Sequence, residues 1–283
     1  MLVAINSTCR MFSKHTLAEK ITTWTTQNED GGRYFHGTFE SKTKGEVPYN
    51  VYLPPGWHAD DTTTYPLLIY IYGQGGTEYI FPYHVEADLL NQWINNGDLP
   101  PMVVFCPNGS PDPEVVQWYS PENEAMLTKE KGEIRAFCRQ QFRAGMQSDL
   151  IGLEGQSRGA AGVLFYAMKH SNKFSSFVAN AYVSDYNLKM LKDLAQENQL
   201  KVQQSAFYLK MEIGSEDYFM IEHKRKGSLI LDQYLTDLKI PHTHEILKGR
   251  GHGYGQFWDY YRKDKKMLNG LFHLKYHANI WNK

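Results

Sequence analysis

The chain contains little cysteine and has almost no net charge. Its three cysteines, Cys9, Cys106 and Cys138, are odd in number, widely spaced and without a C-x-x-C pair, which argues against a disulfide framework and a structural metal. The 30 Lys and Arg nearly balance the 31 Asp and Glu. No basic stripe with interleaved aromatic residues occurs, so nothing indicates nucleic-acid binding. We expect Cys106 and Cys138, which lie in apolar patterns, to be core thiols.

Long hydrophobic runs are absent as well. No stretch approaches the length of a membrane span, and the apolar run from Met1 to Ile5 is too short for a secretory signal. The sequence therefore predicts a soluble protein with no membrane partner, and it leaves the compartment open. We interpret residues 1–30 as a candidate N-terminal extension.

Strand-like and helix-like segments alternate along the chain, which is typical of a mostly parallel sheet covered by helices on both faces. The chain has 283 residues, of which 42% are hydrophobic, so we predict one α/β domain over residues 1–283. The predicted strands are 49–53, 67–72, 102–106, 150–153, 177–183 and 206–213, and the predicted helices are 88–95, 134–142 and 160–170.

The most informative motif is Gly155-Gln156-Ser157-Arg158-Gly159. It lies between a predicted strand and a predicted helix, the context in which G-x-S-x-G forms a nucleophile elbow. Glycine is needed on both sides because the turn packs closely against strand and helix. The alternative is a structural turn in a hydrolase-like scaffold that has lost activity.

A serine nucleophile needs a base, and the base needs an orienting carboxylate. In this fold the chain order is serine, acid, histidine. Asp217 ends the turn Gly214-Ser215-Glu216-Asp217 after a predicted strand, and His252 lies in a later glycine-rich loop. We therefore predict Ser157 as nucleophile, Asp217 as acid and His252 as base.

Alternatives exist for the acid and for the base. Glu216 is the alternative acid, since it lies in the same turn. His242 and His244 are alternatives to His252, but their alternation predicts that both lie on one exposed face of a strand.

Together these motifs resemble an α/β-hydrolase of the feruloyl esterase and acetyl xylan esterase group, carbohydrate esterase family one, which is also related to the esterase D family. The resemblance runs from about Val51 to Trp258. Its segments are Val51-Tyr52-Leu53-Pro54-Pro55-Gly56, the glycine turn after Tyr72, Pro107-Asn108-Gly109, the elbow, Gly214-Ser215-Glu216-Asp217, and Gly251-His252 followed by Phe257-Trp258.

The resemblance implies a serine esterase that needs no cofactor, with the backbone N–H groups of Gln74 and Arg158 as the oxyanion hole. Relatives commonly have His-Gly where this chain has Tyr72-Gly73, and often have Met at the position of Arg158. Backbone donors survive both changes, because any residue supplies an N–H. For the Arg158 side chain we favour a structural salt bridge over binding of an acidic substrate.

The substrate is inferred from the resemblance alone, which favours a hydroxycinnamoyl ester on plant cell-wall polysaccharide and also implies secretion. Alternatives are an acetyl xylan esterase, a peptidase, another acyl hydrolase or an acyltransferase on the same scaffold, and an inactive carbohydrate-binding protein. We expect Tyr79, Trp118 and Tyr218 to contact substrate, because aromatic residues near strand ends stack on planar acyl groups or sugars. Ordinary packing is the alternative for these aromatic side chains, and no oligomeric state is predicted.

Overall fold

The computed structural model of the protein describes residues 31–59, 62–253 and 271–282. Within them one eight-stranded sheet has the order β1-β2-β4-β3-β5-β6-β7-β8. The strands are β1 Arg33–Ser41, β2 Gly45–Leu53, β3 Leu67–Ile71, β4 Val103–Pro107, β5 Ile151–Gln156, β6 Ser176–Asn180, β7 Tyr208–Gly214 and β8 Thr243–Leu247. β2 runs antiparallel to β1 and β4, and every other pair is parallel. The predicted α/β-hydrolase fold with its mostly parallel sheet is confirmed.

The helices of the described residues cover both faces of this sheet. They are α1 Ile80–His84, α2 Ala87–Asn95, α3 Pro121–Thr128, α4 Ile134–Phe142, α5 Arg158–Lys169, α6 Leu188–Glu197, α7 Gln199–Gln204, α8 Tyr218–Ile221, α9 Gly227–Asp237 and α10 Leu271–Trp281. A Cβ on Gly155 would lie 2.8 Å from the carbonyl carbon of Gly159 in α5, whereas a Cβ on Gly152 would lie 2.5 Å from His277 Nδ1 in α10. Positions 152 and 155 face opposite sides of a strand, so α5 and α10 sandwich β5.

Each of the six predicted strands is present. β6 is shorter than predicted and ends at Asn180, because Ala181 has φ 54° and leaves the extended conformation. Cys106 and Cys138 are buried, as expected. Every helix among the described residues is too short or too polar to cross a bilayer. Residues 1–30 lie outside the described ranges, so the extension and the single domain stay predictions.

Candidate active site

Ser157 lies on a strained turn between β5 and α5. Its backbone has φ 57° and ψ −112°, a region that non-glycine residues rarely adopt and that often marks functional positions. The two motif glycines pack against β3: a Cβ would lie 2.1 Å from the Ile71 carbonyl oxygen at Gly159, and 2.7 Å from it at Gly155. The predicted steric reason for these glycines is therefore present in the structure.

The structure brings Ser157, His252 and Asp217 together. His252 Nε2 lies 2.8 Å from Ser157 Oγ, and His252 Nδ1 lies 2.7 Å from Asp217 Oδ2. Asp217 is fully buried, and its Oδ1 accepts a 3.0 Å hydrogen bond from the Phe219 N–H. Glu216 is exposed, and its N–H donates to the Arg250 carbonyl instead. Of the two acids, it is Asp217 whose carboxylate contacts His252, and its role as the acid that orients the imidazole stays a prediction.

Hydrogen bonds of the backbone join the loop that carries Asp217 to the loop that carries His252. The Ser215 N–H donates to the Leu247 carbonyl at 2.9 Å, and the Gly249 N–H donates to Ser215 Oγ at 2.9 Å. Gln156, the residue before the serine, donates from Nε2 to the His252 carbonyl at 2.7 Å. These bonds fix the imidazole relative to the elbow.

The alternative histidines do not lie on an exposed strand face. Their side chains are only 6% and 7% exposed, for His242 and His244 respectively. Both contact Asp232 of α9, and His244 Nε2 lies 2.9 Å from Ser228 Oγ. The expectation of an exposed face was wrong because α9 packs against that side of β8.

The glycine turn after β3 lies beside the serine. A Cβ on Gly73 would lie 3.1 Å from Ser157 Cβ, so Gln74, the next residue, is close to the elbow. Arg158 is the first residue of α5, where backbone N–H groups have no intrahelical acceptor. Both amides are therefore near the serine, and their role as oxyanion donors stays a prediction.

Glu114 contacts the side chains of both Gln74 and Arg158. Gln74 Nε2 donates to Glu114 Oε2 at 2.8 Å, and Arg158 Nη1 donates to the Glu114 backbone oxygen at 2.7 Å. Among the residues that the structure describes, Arg158 thus bonds a main-chain oxygen, and the salt bridge that we favoured is not formed. Glu114 lies 40 and 44 residues away along the chain, and no local sequence pattern marks it.

Trp118 is not exposed at the surface, contrary to the sequence-based expectation that it contacts substrate. Its side chain is fully buried, and its Nε1 donates to the Tyr72 carbonyl at 2.7 Å. The indole fills space left open by two glycines: a Cβ would lie 2.5 Å from the Trp118 side chain at either Gly109 or Gly162. Trp118 therefore supports the glycine turn from the core.

Tyr72 links the loops after β3 and β4. Its hydroxyl accepts hydrogen bonds from the N–H of Gly109 at 2.8 Å and of Ser110 at 3.3 Å, and donates to Asn108 Oδ1 at 3.1 Å. Burial raises the pKa of Tyr72 to about 12, although the two backbone bonds act in the opposite direction. The phenol is thus a neutral structural group.

The other two predicted substrate contacts are accessible. Tyr79 is 44% exposed and stacks on His36 at a centroid distance of 5.0 Å. Tyr218 is also 44% exposed, and its ring centroid lies 6.1 Å from that of His252. Their contact with substrate stays a prediction. Phe219, which belongs to the same group of aromatic residues near the strand ends, is closer to the imidazole, at 4.7 Å.

A buried ionic cluster lies behind the elbow. His273 of α10 contacts Glu154 Oε1 through Nδ1 at 3.1 Å and Glu212 Oε2 through Nε2 at 2.6 Å. Burial alone would lower the pKa of His273, but the two carboxylates raise it to about 10. Burial alone would raise the pKa of Glu154, but the charges and hydrogen bonds of His273 and His277 together outweigh it and lower the pKa to about 2. The cluster therefore holds a charged imidazolium between charged carboxylates.

This cluster is connected to Ser157 through Asn180. The Asn180 side-chain Nδ2 donates to Glu154 Oε1 at 3.0 Å, and its backbone oxygen accepts the Ser157 N–H at 2.8 Å. Within residues 31–59, 62–253 and 271–282, no group of three or more His, Cys, Asp or Glu is arranged to hold a metal ion.

Residues 41–263 match the Esterase family, described as "Putative esterase", and no curated protein matches the chain. Among solved structures, a ferulic acid esterase superposes with a TM-score of 0.72 at 15% identity, over 89% of this chain and 99% of that one. A feruloyl esterase module from Clostridium thermocellum, complexed with sinapinate, gives 0.61 at 19% identity over 82% and 86%. An S-formylglutathione hydrolase from Agrobacterium tumefaciens gives 0.63 at 19% identity over 89% and 96%. At these identities the structural likeness shows the fold alone.

Proposed function

The chain belongs to the Esterase family and is a serine carboxylic ester hydrolase, and from this premise we propose that it releases hydroxycinnamoyl groups from plant cell-wall polysaccharide. The observation that carries the proposed chemistry is the hydrogen-bonded series Ser157, His252 and Asp217, with distances of 2.8 and 2.7 Å. A buried carboxylate, an imidazole and a strained serine in this order match the geometry of nucleophilic acyl transfer.

In the proposed mechanism Ser157 Oγ attacks the ester carbonyl while His252 Nε2 takes its proton. Asp217 Oδ2 accepts a hydrogen bond from the Nδ1–H group of His252, which selects the required tautomer and stabilises the imidazolium. The N–H groups of Gln74 and Arg158 stabilise the tetrahedral oxyanion, at about 3 to 4 kcal/mol for each donor. His252 then protonates the leaving alcohol, and water activated by the same imidazole hydrolyses the acyl-enzyme.

Two observations support a hydroxycinnamoyl acyl group: an exposed aromatic side chain and the names of structural neighbours. Tyr79 follows the glycine turn and exposes 44% of its surface, so a planar acyl group bound beside the oxyanion donors can stack on it. Two of the structural neighbours carry feruloyl or ferulic acid esterase names, which is consistent with that acyl class. Because Trp118 is buried, only two of the three aromatic side chains expected to contact the acyl group, Tyr79 and Tyr218, remain available to it.

A fluorophosphonate probe and an ester panel test the proposal. We expect wild-type protein to be labelled and Ser157→Ala to be silent, and Ser157→Ala or His252→Ala to lower kcat by about 10⁴ to 10⁶. The area gained by an aromatic acyl chain, at about 25 cal/mol per Å², should raise kcat/KM for methyl ferulate at least several-fold over methyl acetate. Equal or faster turnover of acetate would favour a deacetylase with the same three residues, and an unlabelled wild type would favour the inactive scaffold.

Thioester hydrolysis is a second candidate, because one structural neighbour is named an S-formylglutathione hydrolase. Ser157, His252 and Asp217 can hydrolyse a thioester by the same steps. A thiolate is a better leaving group than an alkoxide, so its departure requires less proton transfer from His252. Including S-formylglutathione in the panel separates the two: preferential turnover of the thioester would exclude the feruloyl assignment.

A further inference from the structure

The position of His252 determines where the leaving alcohol lies. Because His252 gives its proton to the leaving oxygen, the alcohol portion of the substrate occupies the side of Ser157 nearest the imidazole. Phe219, in the short helix α8 after β7, packs edge-on against that imidazole with centroids 4.7 Å apart. The surface that continues outward from Phe219 is therefore the surface available to the alcohol.

A layered stack extends from Phe219. The guanidinium carbon of Arg225 lies 4.7 Å from the Phe219 ring centroid and 5.4 Å from that of Tyr186. Tyr186 is 88% exposed. The Arg225 backbone N–H also donates to the Phe219 carbonyl at 3.0 Å. One guanidinium thus joins two aromatic side chains, and it carries N–H groups in its plane that can bind a planar anion.

The two loops that carry this stack are packed together by their backbones. Tyr186 follows β6, whereas Phe219 and Arg225 follow β7. Gly227 at the start of α9 is buried, and a Cβ there would lie 2.4 Å from the Ser184 carbonyl oxygen. Loops after adjacent parallel strands lie at one sheet edge, so the stack is at the same edge as Ser157.

The surface is also basic. His223-Lys224-Arg225-Lys226 forms a continuous run, and Lys224 and Lys226 are exposed. In the part of the chain that the structure describes, no carboxylate lies within 4.0 Å of the charged groups of Lys224, Arg225 or Lys226. The acidic neighbours in sequence are Asp185 and Glu222, both exposed. Three permanent cations against two carboxylates leave a positive local charge.

We propose that Tyr186, Arg225 and Phe219, with Lys224 and Lys226, form a leaving-alcohol subsite for an alcohol that carries a carboxylate, such as a sugar unit bearing a uronic acid. The exposed ring of Tyr186 stacks on the flat face of the alcohol, and the planar guanidinium binds the carboxylate through two N–H groups. The inference rests on the proposed ester hydrolysis, because it uses the direction of proton transfer from His252.

A matched pair of substrates tests this subsite. Esters of 4-hydroxybenzoate and of 4-hydroxybenzamide, with one acyl group that the enzyme accepts, differ in charge but hardly in shape, and each kcat/KM is divided by the rate constant for alkaline hydrolysis of the same ester to remove their difference in leaving-group ability. For an exposed charge contact we expect wild-type kcat/KM to favour the anionic ester by roughly fivefold at low ionic strength. The ratio should approach one as salt is added, because the Debye length falls to about 3 Å at 1 M.

Variants locate the effect. Arg225→Gln should lower the ratio of anionic to neutral kcat/KM toward one. Lys239→Gln, an exposed lysine just beyond the far end of α9, changes the net charge equally and should leave the ratio unchanged. If Arg225→Gln does not fold, Lys224→Gln and the salt dependence of wild type replace it.

Two outcomes overturn the subsite while leaving ester hydrolysis intact: equal kcat/KM for both esters in wild type at low salt, or an equal fall of the ratio in Arg225→Gln and Lys239→Gln. A different outcome refutes the underlying function and the subsite with it: absence of hydrolysis of both esters together with absence of fluorophosphonate labelling.

Discussion

Trp118 Nε1 donates a 2.7 Å hydrogen bond to the carbonyl oxygen of Tyr72, the residue that immediately precedes the glycine turn. The two rings also meet edge to face at 5.0 Å. The peptide that leads into Gly73 and Gln74 is therefore held by a fully buried side chain. A turn that is anchored in this way keeps its amides oriented before substrate arrives, which is the requirement for an oxyanion hole.

Replacing Tyr72 by Phe tests the supporting role of its hydroxyl. The change leaves the N–H groups of Gly109 and Ser110 without this acceptor, so we expect a loss of about 1–3 kcal/mol in unfolding free energy. Its effect on kcat should be modest, because the phenol takes no part in proton transfer. Denaturant unfolding and ester kinetics measure the two effects. A loss of kcat as large as that of Ser157→Ala would refute the supporting role.

Gly73→Val should be more severe for catalysis than Tyr72→Phe. A Cβ at Gly73 would lie 2.8 Å from Gln156 Oε1 and 3.1 Å from Ser157 Cβ, so the branched side chain must displace the turn or the serine. We expect Gly73→Val to lower kcat more than Tyr72→Phe does, even if the two variants have similar unfolding free energies. Kinetics of both variants at a temperature where each is folded provide the comparison, and equal losses would contradict it.

Asp217→Asn and Glu216→Gln form a matched pair that identifies the acid. Asp217 is buried 2.7 Å from His252 Nδ1, whereas Glu216 is exposed. The amide at position 217 favours the wrong tautomer of His252, so kcat should fall by up to about 10⁴, and Glu216→Gln should remain near wild type. The reverse pattern in steady-state kinetics would mean that Glu216 is the acid.

We expect the hydrogen bonds of Glu114 to contribute a little to the positions of Gln74 and Arg158, the two predicted oxyanion residues. Glu114→Ala removes the acceptor of Gln74 Nε2 but keeps the backbone oxygen that binds Arg158. Exposed hydrogen bonds of this kind contribute about 0.5–1.5 kcal/mol, so kcat should fall a few-fold with KM little changed. Glu114→Gln retains an acceptor oxygen and is the control. If the two variants lose equal activity, the contact with Gln74 does not matter.

The buried cluster around His273 predicts a pH dependence of stability. The pKa of His273 is raised to about 10, so its stabilisation is complete below its unfolded value of about 6.5 and is lost as the pH rises towards 10. The pKa of Glu154 is lowered to about 2, so its stabilisation is complete above an unfolded value of about 4.3 and is lost as the pH falls towards 2. The part of stability due to the cluster should therefore be greatest between about pH 4.5 and 6.5.

His273→Gln removes the cation and leaves buried carboxylates, which should cost about 3–5 kcal/mol. It should also flatten the decline in unfolding free energy between pH 6.5 and 10. Urea unfolding of both proteins across this range measures the difference. Parallel profiles would show that His273 does not carry the predicted charge.

The strands, the strained turn at Ser157 and the three residues that meet there, Ser157, Asp217 and His252, were predictable because each depends on local patterns. Buried parallel strands are continuous apolar runs, and the glycines of the elbow are required by contacts two residues from Ser157. β1 was not predicted, because its polar and apolar residues mix at the edge of the sheet and most of them are only partly buried.

The errors arose where a side chain's surroundings depend on distant segments. The sequence around Trp118 is typical of a surface loop, but the side chain is buried because Gly162 of α5 has no Cβ and leaves room for it. His244 lies on an alternating segment whose outer face is covered by α9. Glu114 meets Gln74 and Arg158 only after the sheet has assembled. Such contacts leave no periodic signal in the sequence.

The place of α10 in the chain affects how the protein is made. Glu154 belongs to β5, and its cationic partner His273 follows every strand of the described sheet in sequence. Glu212 of β7 also pairs with Lys210 of its own strand, so Glu154 is the carboxylate whose partner is made late. A ribosome therefore produces Glu154 before the imidazole that neutralises it. Until α10 emerges, we expect the region around Glu154 to stay hydrated, because an unpaired buried carboxylate is too costly. We therefore expect the turn that carries Ser157 to become rigid only after the rest of the sheet has been translated.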